Sequence, residues 1–322
     1  MTTMHTALVT SFDEAPHYRE VDTPVPSGEH EVLAEVLAVA LHPRVRSGAS
    51  GSHYTSSGIL PIVPGVDGVA RLPGGDIVYF AADDDTAGTM SERVVLDTRR
   101  TVRLPGGADV ARIAASMNPA MSSWVALRRR VSLRPGASVL VLGATGSAGT
   151  AAVQIAKRLG AAHVVGVGRD EQRLEALRVV GADEVVRLTD DLERTAAALA
   201  DAASEVDVVL DYLWGAPAAR AIVAILTARE DRSRALDWIE IGSLAGPTAE
   251  LPSAALRSAN LRLIGSGQGS VSPRTYLAEL PSLVDELTTG EIGVTPRVMP
   301  LSEVERAWSL PEAPGERIVF VP

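Results

Sequence analysis

The stretch Val139-Leu140-Val141-Leu142-Gly143-Ala144-Thr145-Gly146-Ser147-Ala148-Gly149 joins an apolar run to a glycine-rich turn and then to an alanine-rich continuation. Residues of these types in this order can bring backbone amides against a phosphate. At Gly146 no side chain stands between the main chain and an anion. Gly149 allows a helix to pack close to the preceding strand, and the amides that open the helix carry partial positive charge. Ala144 stands where the usual fingerprint has its first glycine. A tight strand-to-helix connection without a ligand competes with this reading of the turn alone. A strand before, a helix after and a further strand favour a dinucleotide, with Ala144, Thr145, Gly146, Ser147, Ala148 and Gly149 as the pyrophosphate-facing set.

The second strand discriminates between cofactors. Versions of this unit that bind NAD place an acidic residue about 20 positions on, where it accepts hydrogen bonds from the ribose. Here that place holds Gly168, followed by Arg169, with Arg173 one helical turn further. A glycine leaves room for a 2'-phosphate, and a guanidinium offers it a planar, permanently charged set of donors. NADPH is therefore expected over NADH. Arg169 and Arg173 also read as a solvated loop charge and a helix-surface charge. Asp170 could contact the ribose, although capping the helix that begins at Glu171 is its commoner role.

The elements that must hold these residues change character along the chain. The first third has short alternating apolar runs, such as Val32 to Leu41 and Gly75 to Phe80, bounded by Pro, Gly and other turn residues, and reads as a β-rich domain. From Ser138 onward apolar strands alternate with helical segments, the pattern of a parallel sheet. Strands are expected at Ser138 to Leu142, His163 to Val167, Glu184 to Val186, Val206 to Leu210, Leu236 to Ile241 and Leu261 to Gly265. Helices are expected at Thr150 to Leu159, Glu171 to Val180, Leu192 to Ala203 and Ala216 to Thr227. The tail is expected to carry helices near Tyr276 to Thr288 and Ser302 to Ser309 and a last strand Arg317 to Val321. The expected division is a β-rich domain over residues 1–120, to which 270–322 return, and an α/β, doubly wound dinucleotide domain over 121–269.

Composition removes several alternatives. A net charge of -10 argues against a nucleic-acid surface, which needs clustered Lys and Arg. The absence of cysteine excludes disulfides and thiolate zinc sites. No segment approaches the roughly 18 consecutive apolar residues of a membrane helix, and no basic-then-apolar leader opens the chain, so a soluble, cytoplasmic protein is expected.

In order along the chain, Gly48 to Tyr54, Pro61-Ile62-Val63-Pro64-Gly65-Val66-Asp67-Gly68, Gly88 to Val94, Ser122 to Leu127, Leu133-Arg134-Pro135-Gly136-Ala137-Ser138-Val139, Val153 to Lys157, Val208 to Tyr212 and Gly315 to Val319 resemble medium-chain dehydrogenase/reductases over nearly the whole length. The resemblance is to the zinc-independent quinone oxidoreductase and enone reductase group. It implies a GroES-like β-rich catalytic domain, a Rossmann domain and a homodimer, with the strand Leu261 to Gly265 as the candidate contact. Zinc-dependent relatives use Cys and a Gly-His-Glu segment, where this chain reads Gly65-Val66-Asp67, so no catalytic metal is expected. His42-Pro43 stands where quinone reductases often carry Asn-Pro, and His42 to Arg46 also resembles the corresponding run of alkenal reductases.

The implied reaction is hydride transfer from NADPH to an electron-poor carbon of a quinone or enone. A pathway-specific enoyl or carbonyl reductase and a non-catalytic, NADPH-binding sensor or crystallin-like protein are the alternatives. In the substrate-facing region Tyr54 could donate a hydrogen bond or simply pack its ring, and His42 could orient substrate or be a structural histidine. Asn118 could position substrate or cofactor, or cap a helix before Pro119; Ser122 could meet the nicotinamide end or bond its own helix. Tyr212, the Gly242-Ser243 pair and Gly265-Ser266-Gly267 follow strand ends, where such sheets bind ligands; the resemblance implies that they pass beside the ribose and nicotinamide, and plain loop chemistry is the competing reading. Arg317 could reach the cofactor, but an exposed charge at a strand start is the commoner role.

Overall fold

A computed structural model describes residues 2–82, 88–290, 292–313 and 315–322. The chain divides into two compact units, Met1–Asn118 with Leu280–Pro322, and Pro119–Glu279.

The first unit opens with β1 (Thr3–Leu8) and β2 (His17–Asp22), which pair antiparallel. Next come β3 (Glu31–Ala40), the short helix α1 (Pro43–Ala49), β4 (Asp67–Arg71), β5 (Ile77–Ala81), β6 (Arg93–Asp97) and β7 (Thr101–Arg103). Helix α2 (Val110–Val125) starts in this unit, where the carboxylate of Asp109 accepts from the Arg112 amide at 3.0 Å.

The second unit is built from β8 (Ser138–Leu142), α3 (Ser147–Arg158), β9 (His163–Gly168), α4 (Glu171–Val179), β10 (Glu184–Arg187), α5 (Leu192–Ala203), β11 (Val208–Asp211), α6 (Gly215–Ala228), β12 (Leu236–Glu240), α7 (Ser253–Ser258) and β13 (Leu261–Gly265). The strand order is β10-β9-β8-β11-β12-β13, with every pairing parallel. Parallel neighbours cannot be joined by a hairpin, so helices carry the crossovers. Strand order reverses between β8 and β11, and in such sheets the crevice at that switch point takes the ligand. Leu140, Leu142, Val165, Val167, Val209 and Trp238 fill the core of this unit, none more than 2% exposed. Each such side chain contributes about 1.5–3 kcal/mol on leaving water.

Helix α8 (Pro273–Thr289) follows, then β14 (Thr295–Pro300), α9 (Val304–Trp308) and β15 (Glu316–Val321). β14 and β15 return to the first unit, whose main sheet runs β14-β15-β3-β4-β5-β7, with β6 also paired to β3. Phe80, Phe320, Met90 and Leu41 are among its buried core residues. This is the GroES-like unit, and the second is the Rossmann unit.

The tail returns to the first unit later than the expected residue 270, because the boundary falls inside α8. Glu279, the last residue of the second unit, is 1% exposed and accepts from Trp124 Nε1 at 2.8 Å and Arg128 Nε at 2.7 Å, and also from Arg129 Nε. These contacts tie the first turns of α8 to the end of α2. β14 is not among the strands expected from sequence. Pro296 and Pro300 lie in it, and they are tolerated because β14 is an edge strand, where a missing amide costs no ladder bond on the open side.

Candidate cofactor and substrate sites

Helix α3 begins directly at the glycine turn. Gly146 is its N-cap and supplies no side chain to the first amides, so those donors are left for an anion. A β-carbon on Gly149 would stand 2.2 Å from the Gly143 carbonyl oxygen, whereas one on Gly146 would meet nothing closer than 3.7 Å. Gly149 is thus required by strand-to-helix packing, and the backbone at Gly146 lies open. Ala144, at the first-glycine position, is fully buried, and its carbonyl accepts from Thr150 Oγ1 at 3.1 Å. Ser147 and Ala148 are half-buried in the first turn of α3.

Gly168 ends β9, and the sequence-based reason for it needs correction. The space a β-carbon would take is filled from within: it would lie 2.3 Å from Cγ2 and 2.7 Å from Oγ1 of Thr145. The glycine therefore lets the turn residue Thr145 lie flat against the second strand, rather than leaving a vacant space for phosphate. Arg169 follows, exposed, and the Arg169 and Arg173 guanidinium groups have no partner among the described residues. Asp170 is the N-cap of α4, accepting from the Arg173 amide at 2.9 Å. This arrangement fits a dinucleotide: free helix-end amides for the pyrophosphate, and two unpaired cations at the end of the second strand.

At the ends of the central strands, the structure brings two sequence-chosen residues together. Tyr212 Oη and Ser122 Oγ are 2.9 Å apart, and Ser122 Oγ donates to the Pro119 carbonyl at 2.9 Å. Since Ser122 has one proton, Tyr212 donates to Ser122. Burial pushes the Tyr212 phenol up to about 12. Gly242 follows β12 with its amide on the Asp211 carbonyl at 3.2 Å. Ser243 and Gly265 line a cavity of about 380 Å³ with Trp214, Glu240 and Leu263. The Ser266 amide donates to the Glu240 carbonyl at 2.7 Å, and the Gly267 amide to Ser270 Oγ at 3.0 Å.

Two residues of this region were missed in the sequence. Asp211, fully buried, accepts from the amides of Leu213 and Trp214 and from Trp238 Nε1, each at 2.9 Å, and so shapes the turn after β11. Trp214 is held there at φ 51°, a conformation rare for a bulky residue. An acid closing an otherwise apolar strand was the available signal. Arg130 donates to the carbonyls of Gly265 and Ser270, both at 2.9 Å, and fastens the loop after β13. It lies in a π-helical turn, Ala126–Arg130, that no residue pattern announces.

In the first unit, Tyr54 is 70% exposed, its ring 4.2 Å from that of His53. His42 is 1% exposed at the N-cap of α1, with Nε2 3.2 Å from Asp67 Oδ1. Burial holds its imidazole below the ordinary value of 6.5, against the pull of Asp67. Asn118 does not cap a helix, since α2 continues through Pro119 to Val125. Arg317 is 4% exposed and not a surface charge, because β15 lies inside the sheet. Burial lowers its affinity for a proton, partly offset by Glu312.

The described residues contain no group of three or more His, Cys, Asp or Glu able to hold a metal ion. No helix among them is long and apolar enough to cross a membrane.

Residues 148–283 match the family described as zinc-binding dehydrogenase. The "Probable NADPH-dependent quinone reductase tdiC" of Emericella nidulans is 33% identical over 361 aligned positions, covering 99% of this chain and all of that protein. A probable oxidoreductase from Mycobacterium abscessus is 25% identical, with a TM-score of 0.76 and full coverage of both chains. The quinone oxidoreductase of Thermus thermophilus, solved also with NADPH, is 24% identical, with a TM-score of 0.81 and coverage of 99% and 100%. With the strand order, the glycine turn and a full-length relative in agreement, the chain belongs to the quinone oxidoreductase-like group of the medium-chain dehydrogenase/reductase superfamily.

Proposed function

We propose that this protein is an NADPH-dependent reductase that delivers hydride to a quinone or to an activated carbon–carbon double bond, without a metal. The observation that carries the cofactor reading is the pair of unpaired guanidinium groups, Arg169 and Arg173, directly after β9. A permanently charged fork suits a 2'-phosphate, while the two acids that follow Arg169 are engaged, Asp170 in capping α4 and Glu171 with Arg187. The full-length relative named for NADPH and quinone supports the same reading.

NADPH supplies the hydride when bound. The open amides of α3 bind the pyrophosphate, and Arg169, assisted by Arg173, binds the 2'-phosphate. Tyr212 and Ser122 present a neutral hydroxyl pair at the sheet switch point, and the Gly242-Ser243 and Gly265-Ser266-Gly267 loops border the nicotinamide end. Tyr54, Asn118 and His42 are the polar groups offered to the substrate, for orientation and for stabilising charge on its oxygen. The donor set does not fit a catalytic zinc: the chain has no cysteine, and the Nε2 of His42 is engaged with Asp67. An electron-poor acceptor carbon requires no Lewis acid. The protein is further proposed to be a cytoplasmic homodimer, since β13 is an open edge strand.

Titration with NADPH and NADH, followed by turnover on benzoquinone, an enone and a simple aldehyde, tests the reading. NADPH is expected to bind at least about tenfold tighter, equivalent to ~1.4 kcal/mol, with Arg169→Ala abolishing the difference. Equal binding of NADH, or zinc-dependent turnover, overturns it.

A further inference from the structure

A row of buried polar side chains runs across the first unit, from β15 through the turn after β3 to β4 and β5. β15 and β3 are antiparallel with Val319 opposite Ala40 and Phe320 opposite Val39, and the Leu41 amide donates to the Ile318 carbonyl at 2.9 Å. Carried one step further, this register sets Arg317 opposite His42. On the other side of His42, its Nε2 lies 3.2 Å from Asp67 Oδ1 on β4, and Asp67 Oδ2 accepts from Tyr79 Oη on β5 at 2.9 Å. The four residues are 4%, 1%, 5% and 1% exposed in that order. A run of polar groups this deep is not what a sheet core needs for packing.

We propose that Asp67, Tyr79 and Arg317 are positioning residues that hold His42 as a neutral imidazole with its proton on Nε2, so that Nδ1 is a hydrogen-bond acceptor for a hydroxyl or water. A carboxylate only accepts, so the nitrogen facing Asp67 must carry the proton. Tyr79 engages the other carboxylate oxygen and fixes the plane of the group. Among the described residues, the buried Nδ1 has no hydrogen-bond partner, nor has the buried Arg317 Nη1, and Arg317 Nε lies 3.5 Å from Glu312 Oε1. A hydroxyl or water that accepts from the guanidinium and donates to Nδ1 satisfies both orphans.

Burial, more than any charge, selects the neutral ring of His42; Asp67 favours the imidazolium, and the charges of Arg317 from β15 and Arg44 from α1 oppose it. Around Arg317 itself stand Glu312, Asp67 and Arg46. Loss of the Arg317 charge removes one of the two charges that oppose protonation, while burial continues to oppose it.

The inference rests on the proposed reductase only for the use of Nδ1, and its first test needs neither cofactor nor substrate. In full-length protein labelled with ¹⁵N-histidine, and assigned with His42→Gln, the ring of His42 is expected to show the neutral Nε2–H pattern unchanged from about pH 5 to 8. Arg317→Met is expected to move the onset of protonation to higher pH than in wild type, and Arg317→Lys to restore the wild-type pattern. Asp67→Asn is expected to remove the preference for Nε2–H. A wild-type ring protonated on Nδ1, a wild-type ring titrating near its ordinary value, or a titration unmoved in both Arg317→Met and Asp67→Asn overturns the proposal. In turnover, kcat/KM of the wild type is expected to be flat toward acid, with an acid limb in Arg317→Met. Identical profiles overturn the use of Nδ1, whereas absence of any NADPH turnover in the wild type overturns the reductase reading and leaves the spectroscopic result standing.

Discussion

Thr145 lies in the space that a β-carbon on residue 168 would occupy, with Cγ2 2.3 Å and Cβ 3.0 Å from the place that carbon would take. The glycine turn and the end of the second strand are thereby one packed object, and the amides proposed to bind phosphate depend on a residue that need not touch the ligand.

Gly168→Ala is expected to displace Thr145 and with it the turn. Overpacking of this kind costs about 1–3 kcal/mol. Urea denaturation should show the loss, and isothermal titration should show NADPH bound more weakly than by wild type. An alanine variant of unchanged stability and affinity would contradict the packing.

The Tyr212–Ser122 contact predicts an alkaline effect. The phenol is held up to about 12 by burial, from an ordinary 10.0. A raised value means that the folded state keeps the proton longer, so the stability due to Tyr212 is present below about 10 and declines as pH rises through about 12. Tyr212→Phe should flatten the denaturation midpoint over that window relative to wild type. Ser122→Ala, which leaves the buried hydroxyl with Ser123 alone, should cost about 1 kcal/mol at neutral pH.

Glu279 predicts an effect at the acid end. Although burial alone would raise its carboxyl, the hydrogen bond and charge of Arg128, then the hydrogen bonds of Arg129 and Trp124, hold it below the ordinary 4.5. A depressed value contributes stability that is present above that ordinary value and lost as pH falls through the folded one. Glu279→Gln should lower stability at pH 7 by about 1–3 kcal/mol, the arginines being partly exposed, and should remove this part of the acid dependence. Chemical denaturation of both proteins across the acid range measures it.

Arg130→Ala should free the loop after β13. Amide exchange at residues 265–270 is expected to quicken, and the KM for NADPH to rise about tenfold, equivalent to ~1.4 kcal/mol, with kcat less affected. Unchanged exchange in that loop would remove Arg130 from the positioning of the cofactor region.

Local order and chemistry were legible in the residues themselves. The alternation of apolar strands with helical segments from Ser138 onward marked the parallel sheet, because strand and helix differ in hydrophobic period. The turn at Gly143 to Gly149 marked the connection from β8 into α3, because close strand-to-helix packing there requires glycine at a fixed offset. The absence of cysteine excluded a thiolate metal site outright.

What tertiary structure alone decided lies in contacts between residues far apart in the chain. Arg317 reads as a surface charge until the register of β15 on β3 puts it opposite His42 inside the sheet. The packing role of Gly168 exists only once Thr145 is laid across it, and the unit boundary in α8 only once Glu279 meets Trp124, Arg128 and Arg129. β14, with its two prolines, is a strand only because β15 offers it an edge. Periodicity reports which face of an element is buried, but the partner across that face is chosen by strand register and chain crossing, and those are set by the whole fold.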